Sequence, residues 1–123
     1  MASHRIAVLV VEDETLIRMA IVDELEDAGF EVFEAANSSE AVKILERTPR
    51  IKAMFTDVDM PGGIDGLELA AMVRGRWPPI VIIVTSGLRA VNADLLPDPA
   101  IFLPKPYDTT VVIQSIKALV RAG

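Results

Sequence analysis

The strongest constraint on the fold of this chain is a set of segments that stay apolar at nearly every residue instead of at alternate ones. "RIAVLVVED", "IKAMFTD", "PIVIIVTS" and "AIFLPKP" are rich in Val, Ile and Phe, and each leads into a polar residue: Glu12-Asp13, Asp57, Thr85 and Lys105 in turn. Such runs read as strands buried on both faces, the condition of a parallel sheet covered by helices. Parallel strands all point one way, so side chains at their carboxyl ends meet at one edge of the sheet. The spacing therefore predicts one constellation of three carboxylates, a hydroxyl and an ammonium.

Between these runs the period changes. Thr15 to Ala28 places Leu16, Ile17, Ala20, Ile21, Leu25 and Ala28 at helical spacing, and Gly29 stops the helix. "FEVFEA" alternates like a strand, and Asn37-Ser38-Ser39 then caps a helix running to Arg47. Ala53 to Thr56 form the third strand, followed after Asp57 by the loop "MPGGIDG". Asp65 caps a helix from Leu67 to Arg76, which ends before Trp77-Pro78-Pro79. Ile80 to Val84 form the fourth strand, and a fourth helix from Leu88 to Leu96 is kept short by Pro97 and Pro99. Ile101 to Leu103 are the fifth strand, and Asp108 starts a last helix carrying Val111, Val112, Ile116, Leu119 and Val120.

Five strand and helix units in strict alternation imply an α/β architecture, a parallel sheet with right-handed crossovers and helices on both faces. Two strand orders compete at this size. A doubly wound order 2-1-3-4-5, with five helices, sets the first and third strands side by side where the winding reverses. Glu12, Asp13 and Asp57 would converge there.

Composition narrows the function. A chain of 123 residues is expected to form one domain over residues 1–123. No apolar run approaches the roughly 20 residues that cross a bilayer, and "MASHRIAVLVVEDE" meets acid too soon for a signal sequence, so no membrane association and a cytoplasmic location are expected. A net charge of −6 with scattered Lys and Arg argues against nucleic acid as a partner. The absence of cysteine removes thiolate metal sites and cysteine nucleophiles.

The acidic pair in "VED", "FTDVDMPGGIDG" around Asp57, "VIIVTSG" with Thr85 and "FLPKPY" with Lys105-Pro106 together resemble the receiver domain of two-component response regulators. The resemblance spans essentially the whole chain and implies a flavodoxin-like sheet. Asp57 would then be the nucleophile that takes a phosphoryl group from a phosphohistidine. The donor would be a sensor histidine kinase or a histidine phosphotransfer protein. Glu12, Asp13 and Asp57 would supply oxygens to Mg²⁺, with Glu12 acting through water and the backbone carbonyl of Asp59 joining the shell. Like charges about 4 Å apart repel by roughly 1 to 4 kcal/mol per pair at surface-like dielectric, so a structural reason for three together is hard to find.

Lys105 and Thr85 would address the phosphoryl oxygens, since phosphoryl transfer is mostly positioning and charge stabilisation. Phe102, three residues before Lys105, matches an aromatic that swings inward when Thr85 is drawn to the phosphoryl. The resemblance then implies a downstream protein target on the face of helix four, strand five and helix five. Two departures stand out. Four residues separate Pro61 from Gly66 where the family usually has three, and Asp59 and Gly87 occupy positions that tune hydrolysis in the family. Lone His4 reads as an exposed tail residue. No output segment follows Gly123, which leaves a stand-alone receiver, a shuttle to a histidine phosphotransfer protein or a fragment of a hybrid kinase or larger regulator; the expectation favours the first, turning over nothing beyond its own phosphorylation and dephosphorylation.

One rival comes from another class. "MFTDVDMPG" also looks like the nucleophile motif of Mg-dependent haloacid-dehalogenase-type phosphatases, where a strand ends in Asp-x-Asp. Those enzymes carry the nucleophile on the first strand and an acidic metal pair after the lysine, whereas here the acids come first. A nucleotide-binding or flavin-binding domain is opposed by Glu12-Asp13-Glu14, which stands where a glycine-rich phosphate turn would be needed.

Overall fold

The computed structural model describes residues 5–60, 65–87 and 100–122. Among the described residues, five strands and four helices follow in the order β1 (Ala7–Val11), α1 (Thr15–Asp27), β2 (Glu31–Ala35), α2 (Ser38–Arg47), β3 (Ile51–Asp57), α3 (Gly66–Arg76), β4 (Val81–Ser86), β5 (Ala100–Pro104) and α4 (Thr109–Ala122). The strands form one sheet in the order β2-β1-β3-β4-β5, and every neighbouring pair is parallel. This is the doubly wound order, and it selects between the two arrangements that the sequence left open. The expected helix over residues 88–96 and His4 lie outside the described residues.

Alternation along the inner strands divides the core into two layers. Leu9, Val11, Met54, Ile82 and Val84 pack with Ala41 and Leu45 of α2 and Leu69, Ala70 and Val73 of α3. Val8, Val10, Ala53, Phe55 and Ile83 pack with Ile21, Val22 and Leu25 of α1 and Val112 and Ile116 of α4. Every residue of β1 and β4 is buried, which is why those segments carry no polar alternation. The edge strands β2 and β5 are only partly buried.

Local chemistry sets the helix boundaries. Asn37 and Asp65 accept hydrogen bonds from the Glu40 and Glu68 N–H groups, so both expected N-caps are in place. Glu40 returns the contact by accepting from the Ala36 N–H. Gly29 ends α1 at φ +98°, a left-handed conformation that a side chain would strain.

Three readings of the sequence need correction. The third strand starts at Ile51, two residues earlier than Ala53, because the register shifts between Ala7 and Val8 and leaves Lys52 as an exposed extra residue. The inward stripe of α1 is Ile21, Val22 and Leu25, while Leu16, Ile17 and Ala20 are exposed. Val111 is likewise exposed, and Val112 and Ile116 bury α4.

Candidate phosphoacceptor and metal site

Asp57 is the last residue of β3 and stands opposite Thr85 in the β3–β4 register. The β1–β3 pairing stops one residue earlier, at Val11 and Thr56, so the turn carrying Glu12 and Asp13 leaves β1 beside Asp57. Carboxylate oxygens of Glu12, Asp13 and Asp57 lie within 4.8 Å of one another. Asp57 is only 4% exposed and Glu12 only 3%, which makes their mutual repulsion harder for solvent to screen.

Lys105 reaches this cluster from the end of β5. Its ammonium donates to Asp57 Oδ2 at 2.9 Å and stands 4.0 Å from Glu12 Oε1. The Lys105 N–H donates to the Ser86 carbonyl at 3.0 Å, which seats its main chain on β4; the Lys105-Pro106 peptide is cis. Two residues on, the Tyr107 ring packs edge-on against Phe55 with centroids 5.3 Å apart. Burial pulls the Lys105 ammonium down, but the hydrogen bond and charge of Asp57, helped by Glu12 and Asp59, outweigh it and hold its pKa above the usual lysine value.

Glu12 shows the opposite strain. Burial raises its carboxyl from the ordinary 4.5 to about 7; the Glu14 N–H opposes the shift, while the Asp57 charge and Asp13 reinforce it. Its Oε2 accepts that Glu14 N–H at 3.0 Å. Glu14 is the N-cap residue of α1 and is exposed.

Of the other expected residues, Thr85 and Asp59 stand beside Asp57, and Phe102 lies within β5. Thr85 is 1% exposed, and its hydroxyl has no hydrogen-bond partner among the described residues. A buried unpaired hydroxyl costs free energy that an added acceptor would recover. Asp59 donates its N–H to Asp57 Oδ1 at 3.0 Å and accepts from Ser86 Oγ at 2.6 Å. Phe102 is partly buried against the core layer under α2 and α3, opposite Val84 in register.

Two neighbours escaped the sequence reading of the site. Gly66 packs so closely that a Cβ there would sit 2.2 Å from the Asp57 carbonyl oxygen and 2.7 Å from Val58 Cα. The glycine's place after the loop was visible, but nothing in its spacing shows that the first turn of α3 leans on the Asp57 backbone. Arg18 donates through Nη1 to the Glu12 carbonyl at 2.7 Å and through Nε to Glu34 at 2.9 Å. The signal for it was an arginine on the stripe shared with Ile21, Val22 and Leu25.

The donor set suits a hard divalent cation. It offers carboxylate oxygens without sulfur or imidazole, gathered closely enough that a cation between them relieves repulsion. The Lys105 ammonium and the orphan Thr85 hydroxyl face the same carboxylate end of the sheet, which suits an incoming group rich in anionic oxygens.

Comparison with known proteins agrees with this geometry. Residues 8–117 match the response regulator receiver domain family. The chain belongs to that family. It is 35% identical over 115 residues to an NtrX-like response regulator of Rickettsia typhi, covering 89% of this chain and 24% of that one. It is also 35% identical over 118 residues to the sensor kinase CckA of Brucella abortus, covering 93% of this chain and 12% of that one. The chain thus spans well under two thirds of the length of the curated relatives it matches.

Among solved structures, a response regulator receiver protein from Sinorhizobium medicae superposes with a TM-score of 0.89 at 26% identity, covering 97% of each chain. The receiver domain of the hybrid histidine kinase CckA gives 0.76 at 32% identity, covering 93% of this chain and 98% of that one. The phosphatase alternative finds no support in these matches. Receiver domains work with histidine kinases and downstream effectors. Among the described residues of this one, no helix is long and apolar enough to cross a membrane.

Proposed function

We propose that this receiver takes a phosphoryl group from a phosphohistidine onto Asp57, in a pocket where Glu12, Asp13 and Asp57 hold Mg²⁺ and the Asp59 carbonyl completes the protein ligands. The observation that carries this reading is the gathering of three carboxylates within 4.8 Å beside an ammonium bonded to one of them. An Asp57 oxygen attacks phosphorus as the P–N bond to the donor imidazole breaks, and the electron pair leaves with the imidazole, which is then protonated. Bound Mg²⁺ would neutralise the crowded carboxylates and the phosphoryl oxygens. Lys105 contributes a second positive charge, already placed beside Asp57 by its bond to Oδ2. Thr85 donates its hydroxyl to a phosphoryl oxygen once the group has arrived.

A protein donor is supported by the surface next to the pocket. The first turn of α1, directly after the acidic turn, exposes Leu16 (81%) and Ile17, side chains that a small phosphodonor would not need. The donor is a sensor histidine kinase or a histidine phosphotransfer protein. The output runs through Thr85 and Phe102 to a downstream protein on the face of the helix expected over residues 88–96, β5 and α4. The domain works inside the cell, unattached to membrane or nucleic acid, and turns over nothing except its own phosphoryl group.

The test uses acetyl phosphate with Mg²⁺. One phosphoryl group per chain is expected on the wild type and none on Asp57→Asn. Continuous release of phosphate from a small phosphomonoester would replace this reading with the phosphatase one. An unchanged amide spectrum on adding Mg²⁺ and beryllium fluoride would remove the pocket.

A further inference from the structure

We propose that Arg18 is a positioning residue for the acidic turn, holding the Glu12 main chain so that Glu12 and Asp13 face Asp57. The assignment rests on the metal-site reading above. Residues 12–14 leave β1 as a bend, and Glu14 caps α1 with no side-chain hydrogen bond. Three consecutive acidic residues must therefore keep one shape against their own repulsion, without a strand or a helix to impose it.

Glu12 is held at three of its atoms. Its N–H donates to the Ala35 carbonyl at 3.0 Å, its Oε2 accepts from the Glu14 N–H, and its carbonyl accepts from Arg18 Nη1 at 2.7 Å. Only the last of these comes from a side chain, and it is charge-assisted. The same guanidinium binds Glu34 Oε1 through Nε at 2.9 Å, and Glu34 stands beside Val10 in the β1–β2 register. Arg18 thus ties α1, the exit of β1 and the edge strand β2 together.

Its place in the helix explains why an arginine is needed. Arg18 continues the stripe of Ile21, Val22 and Leu25 toward the site and is 15% exposed, so its stem packs inward while its head meets main-chain oxygen. A planar guanidinium presents separate donors to two acceptors at once, and an ammonium cannot reproduce that fork.

The experiment is a Mg²⁺ titration followed by amide NMR without phosphodonor, with thermal midpoints measured alongside. Wild type, Arg18→Met, Arg18→Lys and Arg50→Met are compared. Arg50 makes an exposed ion pair with Glu31 at the far end of β2 and controls for the loss of an Arg–Glu contact as such. Arg18→Met is expected to weaken Mg²⁺ binding by about tenfold, as loss of one charge-assisted bond would. Arg18→Lys should recover part of that loss, and Arg50→Met should bind as the wild type does.

Mg²⁺ affinity of Arg18→Met within twofold of wild type would overturn the role of Arg18 and leave the metal site standing. So would an equal weakening in Arg50→Met, or failure of Arg18→Met to fold where Arg50→Met folds, since either makes the effect one of general stability. No saturable Mg²⁺ shift in the wild type would remove the metal reading and this assignment with it.

Discussion

Lys105 Nζ donates to Asp57 Oδ2 at 2.9 Å, joining the ends of β5 and β3 across a separation of 48 residues. That contact places a positive charge on the carboxylate proposed to attack phosphorus. Lys105→Met should slow phosphorylation by acetyl phosphate by about a hundred- to a thousandfold, the range for losing one preorganised donor. Mg²⁺ affinity should change far less, because no cation ligand is lost. Rapid-quench phosphorylation kinetics beside a metal titration would check this, and equal losses in both would place Lys105 in the metal site instead.

Glu12 predicts a pH dependence with a definite sign. Its folded pKa is raised from 4.5 to about 7, so the folded state binds the extra proton between those values. Its contribution to metal-free stability is fully present below pH 4.5 and is lost as pH rises through about 7. Glu12→Gln should remove this slope and stabilise the metal-free protein above pH 7.5 by about 1 to 3 kcal/mol. Denaturant melts in EDTA from pH 5 to pH 8 would measure it; parallel slopes for the two proteins would contradict the buried charge.

Thr85 predicts a gain in stability accompanied by a loss of function. Its buried hydroxyl has no partner among the described residues, so Thr85→Val removes an unsatisfied group at nearly constant volume. The metal-free protein should gain about 1 kcal/mol. The spectral change on adding beryllium fluoride should shrink toward Phe102 and remain at Asp57. A destabilised variant would mean that the hydroxyl is bonded in solution.

Gly66 has no room for even a methyl group. A Cβ would meet the Asp57 carbonyl oxygen at 2.2 Å, a main-chain atom at the end of β3 that also accepts from Thr56 Oγ1 at 3.1 Å. Gly66→Ala should cost about 1 to 3 kcal/mol, typical of overpacking, and weaken Mg²⁺ binding by moving Asp57. Gly75→Ala is the control, since nothing lies within 4 Å of its added methyl, and it should stabilise α3 by about 1 kcal/mol. Thermal melts of the two variants should move in opposite directions.

The convergence of Glu12, Asp13, Asp57, Thr85 and Lys105 was legible because parallel strands leave no choice about which of their ends meet. Once β1, β3, β4 and β5 were recognised as buried runs, the residues that terminate them had to share an edge. The helix caps at Asn37 and Asp65 were legible for a similar reason, being settled by bonds that span three residues.

What the sequence left undecided involves contacts between elements. Leu16, Ile17 and Ala20 have helical spacing as good as that of Ile21 and Leu25, and the choice of stripe depends on where α1 lies against the sheet. Docking on Ile21, Val22 and Leu25 brings Arg18 onto the Glu12 carbonyl and exposes Leu16, and no local pattern encodes that rotation. The register shift at Lys52 and the approach of Gly66 to Asp57 belong to the same class. Sequence alone determined which residues meet, because strand direction and apolar continuity are local properties. Tertiary structure decided how they are held, because helix rotation and close backbone approach come from packing between segments far apart in the chain.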